Sequence, residues 1–196
     1  MLPVIDVYGL KMLKNNYHYK LSFPVDFIPT YLEGDTFRNV YPVELINQEL
    51  VDWLNKLNIF VIMAEQYMLD PNGKKSSYEI HRDGHPSVHP DFIKMNYVFC
   101  DTPHVMNWYK LHPGKELKNA GIPGGFPFLV CDEGDCDLVH SAEVGQPSLV
   151  NVMELHDVST VLSKRYCFAF VLGNIETKQP INWNEAEELF KEYIIE

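Results

Sequence analysis

The chain has 196 residues, 46% hydrophobic and 22% charged, with 16 basic against 27 acidic side chains and a formal net charge of −11. That length and balance predict one soluble domain with a substantial core, divided into N-terminal strands and a buttressing helix over 1–58, a core over 59–173 and a C-terminal helix over 174–196. The acidic surplus argues against a nucleic-acid or polyphosphate partner, whose binding relies on Lys and Arg releasing counterions, and no apolar run approaches the roughly 18 residues of a membrane span.

The first residues lack a basic n-region and carry Asp6 inside their apolar run, so they do not read as a signal peptide. Without a disulfide framework around Cys100, Cys131, Cys136 and Cys167, a reducing, cytoplasmic setting is expected. Short strands are predicted over 4–8 and 17–23, followed by loops at Pro24, Pro29 and Gly34. Residues 43–57 predict a helix with Pro42 at its first turn and one apolar face of Leu45, Ile46, Leu50, Trp53, Leu54 and Leu57. A strand over 59–70 and the turn signal Pro71-Asn72-Gly73 lead into a second strand that ends in His81-Arg82-Asp83 and breaks at Gly84. Alternate strand residues share a face, so His81 and Asp83 can offer an imidazole nitrogen and a carboxylate oxygen to one divalent metal. With 8 His and 12 Asp in the chain, chance supplies roughly half such a pair. The other one, His89-Pro90-Asp91, sits in a proline-broken stretch and reads as a polar loop.

The next strand, over 92–100, places Ile93, Met95, Tyr97 and Phe99 on one face and Lys94, Asn96 and Val98 on the other. Strands over 105–111 and 128–130 follow, the latter between Pro123-Gly124-Gly125 and the acidic run from Asp132 to Asp137. That run fails the calcium-loop spacing and reads as a solvated turn. Cys131, Cys136 and His140 could begin a zinc site, but no fourth ligand follows at a characteristic spacing. The third ligand for the His81–Asp83 pair is best supplied by the segment 147–156, which ends in His156. Two His and one carboxylate on one face of an octahedral metal leave three positions open. Nine residues on, Arg165 opens an otherwise apolar strand in which Tyr166, Phe168 and Phe170 share one face and Arg165, Cys167 and Ala169 the other. A guanidinium there needs an anion, either a bound carboxylate or a protein Asp or Glu. The chain closes in an amphipathic helix over 184–195, and the loops at 84–91 and 112–127 are long enough to cover a substrate.

His81-x-Asp83, then His156, then a basic residue nine positions on, resembles the Fe(II)/2-oxoglutarate-dependent dioxygenases, and the short spacing to Arg165 is most similar to their prolyl-hydroxylase-like branch. The resemblance implies a mainly β fold with flanking helices and a double-stranded β-helix (jelly-roll) core over 59–173. It implies Fe(II) on His81, Asp83 and His156, with 2-oxoglutarate and dioxygen as cosubstrates, and hydroxylation of a small-molecule or peptide substrate. Arg165 would pair with the C5 carboxylate of 2-oxoglutarate. Cys167 stands where the family often carries serine. Tyr67 stands near a position where related hydroxylases place a cosubstrate-touching tyrosine, and Asn96 would face the same interior. A cupin-like metal enzyme that does not use 2-oxoglutarate, and a β-barrel binding module with merely structural His and Asp, are the alternatives.

Overall fold

Period-two apolar strands covered on one side by amphipathic helices must bury the apolar set of each strand under the helices and turn the other set toward a second sheet. The computed structural model, which describes residues 15–32, 37–72, 79–84, 91–120, 128–144 and 147–195, has this arrangement. The chain is mainly β: two antiparallel six-stranded sheets form a sandwich with two α-helices. The larger sheet runs in the order β1 (His18–Lys20), β10 (Ser148–Val150), β5 (Lys94–Cys100), β12 (Arg165–Asn174), β3 (Ile59–Leu69) and β2 (Arg38–Tyr41). The smaller runs β7 (Lys118–Asn119), β8 (Phe128–Val130), β4 (His81–Asp83), β11 (Leu155–Val158), β6 (Met106–Leu111) and β9 (Cys136–Ala142).

Met95, Tyr97, Phe168 and Phe170 on the outer face of the larger sheet pack with Leu50, Trp53 and Leu54 of α1 (Gln48–Lys56) and Trp183, Ala186 and Phe190 of α2 (Trp183–Phe190). The inner face contributes Leu69, Val98, Cys167 and Ala169, which meet Met106, Trp108 and Val158 of the smaller sheet. The face assignments read for the two central strands therefore match the packing, because each strand is apolar to the helices and mixed to the interior.

Several boundaries differ from the sequence reading. The helix expected over 43–57 is a single 3-10 turn, Val43–Leu45, then α1, with Ile46 and Asn47 extended between them. Ile46 is drawn into the core, and the Asn47 side chain donates to Asp26 O (3.1 Å) and accepts from Ile28 N (3.3 Å), pinning the preceding loop to the helix start. Asn58, at φ +63°, turns the chain from α1 into β3, a conformation asparagine tolerates better than most residues. α2 starts at its N-cap Asn182, whose side chain accepts from Glu185 N (3.0 Å), and stops at Phe190 because Ile194 turns back to bridge Leu21. β1 is shorter than the expected 17–23. The stretch 112–127, expected as a loop, holds the edge strand β7, and β9 begins within the acidic run expected as a turn, after one 3-10 turn at Glu133–Asp135; the edge strand β2 forms where no element is expected. The strand expected over 4–8 lies outside the described residues.

Candidate metal centre

β4 is three residues long and ends where Gly84 takes φ +72°, a left-handed conformation that glycine adopts without steric cost. His81 is the register partner of His156 on β11, which brings two imidazoles onto one inner face of the smaller sheet with ring centroids 4.3 Å apart. Each ring is oriented by its own backbone: Nδ1 lies 2.8 Å from Glu79 O for His81 and 2.8 Å from Glu154 O for His156. A carbonyl only accepts, so both Nδ1 atoms carry hydrogen and Nε2 is the nitrogen each ring can offer as a ligand. Asp83 Oδ1 lies 3.6 Å from His81 Nε2. One donor atom from each of His81, Asp83 and His156 falls within 4.8 Å of the others, the only such cluster among the described residues. Asp157, next in sequence to His156, faces away and binds Asn107 Nδ2 (2.8 Å) and the Tyr109 hydroxyl (2.7 Å).

Electrostatics keep His156 and Asp83 in their ligating forms. Burial, with His81 alongside, pushes the His156 imidazole down to about 3, so it is neutral near neutrality. Burial alone would raise the Asp83 carboxyl, but Lys94, then His81 and His156, hold it well below the ordinary carboxylate range. Two imidazole nitrogens and one carboxylate oxygen, with no further ligand in the cluster among the described residues, suit Fe(II) or a similar divalent metal.

A buried ionic chain adjoins this cluster, and the sequence reading did not find it. Lys94 on β5 lies 2.8 Å from Asp83 Oδ2, 2.9 Å from Glu65 Oε2 and 3.1 Å from the Tyr67 hydroxyl. Glu65 is fully buried on β3; it accepts from Tyr67 (2.5 Å) through Oε2 and from Arg38 Nε (2.6 Å) through Oε1. Burial would raise the Glu65 carboxyl, but Lys94 and Arg38 hold it down, and the same carboxylates hold the Lys94 ammonium well above its usual range against burial. Strand parity had put Lys94 on the interior face beside Asn96, and Glu65 shares the parity of Tyr67. A charge facing the interior was the signal that could have found both.

Arg165 starts from the other end of the same sheet face. It pairs in register with Leu69 and Cys100, whereas Lys94 pairs with Val171, six residues along the strand, and the two long side chains reach one cavity between them. Arg165 is 2% exposed, has no ion-pair partner among the described residues and leaves Nε without a hydrogen-bond acceptor. Burial, then the charge of Arg165, lowers the pKa of nearby His104. Asn96, also buried, leaves Oδ1 unpartnered, and the Cys167 thiol lies beside the guanidinium.

One cavity of about 60 Å³ joins these parts, lined by His81, Asp83, His156, Arg165, Asn96, Tyr67 and Cys167 together with Lys94 and the apolar Met106, Val152, Val158 and Ala169. All seven residues singled out from sequence thus border one space. Its volume holds on the order of four waters, which suits a short linear acid better than a flavin or haem. The Tyr67 hydroxyl donates to Glu65 and accepts from Lys94. Cys131 and Cys136 are free and buried, and the His140 ring stacks on Tyr17 and contacts His18 (3.3 Å), so these three do not form a zinc cluster. His89 lies outside the described residues, and Asp91 lies 3.8 Å from Arg82. No protein-family model, curated protein or solved structure matches the chain.

Proposed function

We propose that the chain is an Fe(II)- and 2-oxoglutarate-dependent oxygenase on a jelly-roll core. The strand order supports the core: successive strands from β3 to β6, and again from β10 to β12, alternate between sheets, and the inner orders β10-β5-β12-β3 and β4-β11-β6-β9 interleave as a jelly roll does. The observation that carries the function is Arg165. A buried guanidinium with no carboxylate partner among the described residues, in the cavity that holds an N,N,O donor set, calls for an anion to offset its desolvation. A dicarboxylate supplies that anion at one end and oxygen ligands at the other.

His81 Nε2, His156 Nε2 and one oxygen of Asp83 would hold the metal. With 2-oxoglutarate and dioxygen bound, Fe(II) supplies oxidative decarboxylation to succinate and carbon dioxide coupled to hydroxylation of a small-molecule or peptide substrate. Arg165 orients the acid through its two-pronged fork. Asn96 offers an amide midway along the sheet face, and Cys167 lies beside the guanidinium. Met106, Val152 and Val158 present apolar walls that keep water from the metal face.

Succinate release from 2-oxoglutarate by the iron-loaded protein, without added substrate, tests this reading. Slow turnover is expected, lost in Asp83→Ala together with bound iron and retained in Asp91→Ala. Iron retention without 2-oxoglutarate turnover or binding would favour a cupin-like metal enzyme. Wild-type iron content in Asp83→Ala would show that the ligand set is wrong.

A further inference from the structure

An ammonium has three hydrogens, and Lys94 has three acceptors: Asp83 Oδ2 at 2.8 Å, Glu65 Oε2 at 2.9 Å and the Tyr67 hydroxyl at 3.1 Å. Its side chain is only 7% exposed, so water offers little alternative to these partners. Two of the acceptors stand on β3, the next strand but one in the larger sheet, and Arg38 on β2 fixes the far oxygen of Glu65. The third stands on β4 of the smaller sheet. Lys94 is therefore a strut between the sheets that ends on a candidate metal ligand. It grips one oxygen of that ligand and leaves the other, Oδ1, on the side of the His81 imidazole.

We propose that Lys94 is a positioning residue that confines Asp83 to one-oxygen coordination, keeping three adjacent metal positions open for cosubstrate and dioxygen. The inference rests on the metal reading above. A carboxylate with both oxygens free can close onto a metal as a chelate and take one of those positions. Here Oδ2 could join the metal only by leaving a buried ammonium with an unmet hydrogen, which the surrounding structure disfavours. Glu65, Tyr67 and Arg38 hold Lys94 in place rather than touching the ligand. Their contribution explains why a strand facing a cosubstrate cavity carries a charged pair that no metal would touch.

Mn(II) alone is the probe, read by frequency-dependent water-proton relaxation, which counts exchangeable waters on the bound ion. The parent protein should show about three, the positions a facial N,N,O set leaves on an octahedral ion. Lys94→Met should show about two, as Asp83 closes into a chelate, and should bind Mn(II) roughly tenfold tighter because a neighbouring cation is gone. The double variant Glu65→Gln, Lys94→Met removes one charge of each sign and guards against misfolding of the single change; it should also show about two. A parent count of two, or an unchanged count in either folded variant, would overturn the role of Lys94 while leaving the metal site standing. Loss of the metal reading itself looks different: Mn(II) affinity would be the same in His81→Ala as in the parent, and this inference would fall with it.

Discussion

The side chain that most constrains the account is Arg165, because its burial makes opposite demands on stability and on binding. A guanidinium 2% exposed with no carboxylate partner among the described residues should destabilise the ligand-free fold. Arg165→Met should therefore raise the urea-unfolding stability of the metal-free protein by about 2 kcal/mol, as replacing poorly compensated buried charges with apolar groups does. It should also abolish the stabilisation that added 2-oxoglutarate gives the metal-loaded parent. A structural ion-pair arginine would give the reverse, a less stable variant. His156 makes the second prediction at this scale. In the metal-free protein it resists protonation down to about 3, whereas in the unfolded chain histidine protonates near its ordinary value of about 6.5. Between those values the unfolded state binds more protons, so acid favours unfolding and stability rises with pH across the window, by on the order of 1 kcal/mol per pH unit. The lowered pKa of His104 works in the same direction. Urea midpoints at pH 7 and pH 5 check this, and equal midpoints would mean that His156 is not held neutral by burial.

Among the elements, the β10–β11 turn decides where His156 stands. Asn151 organises it: its side chain donates to Asn16 O (2.9 Å) and accepts from Met153 N (3.2 Å), while its carbonyl accepts from Trp108 Nε1 (3.3 Å). Asn151→Ala strands two backbone groups and should cost about 2 kcal/mol by chemical denaturation, with a weaker metal affinity because the His156 strand loses its anchor. A loss confined to stability, with metal affinity unmoved, would mean that β4 pairing alone places His156. The strands around this turn show what a sequence discloses. β5 and β12 were legible because each is apolar toward the helices and mixed toward the interior, so parity assigned both faces. β2 and β9 were not, since edge strands with one solvated side and polar residues look like loops; β9 even begins beside an acidic turn. His81, Asp83, His156 and Arg165 stood out because each is chemically odd for its surroundings. Lys94 and Glu65 did not, because a charge on a half-polar strand face reads as solvated until its partner, 29 residues away, is seen opposite.

At the scale of the whole molecule, the sandwich sets a metal cluster on the smaller sheet against a cation at one end of the larger, with apolar walls between them. The proposed dicarboxylate would bridge the two. The most direct test is the anaerobic titration of the Fe(II)-loaded protein with 2-oxoglutarate, followed by the visible charge-transfer absorption of the complex and repeated with Arg165→Lys. Lysine keeps the charge and loses the fork. The account predicts a saturable band in the parent and a midpoint at least tenfold higher in the variant, about 1.4 kcal/mol for a weakened charged hydrogen bond, at equal iron content. An unchanged midpoint, or no band in the parent despite bound iron, would contradict it.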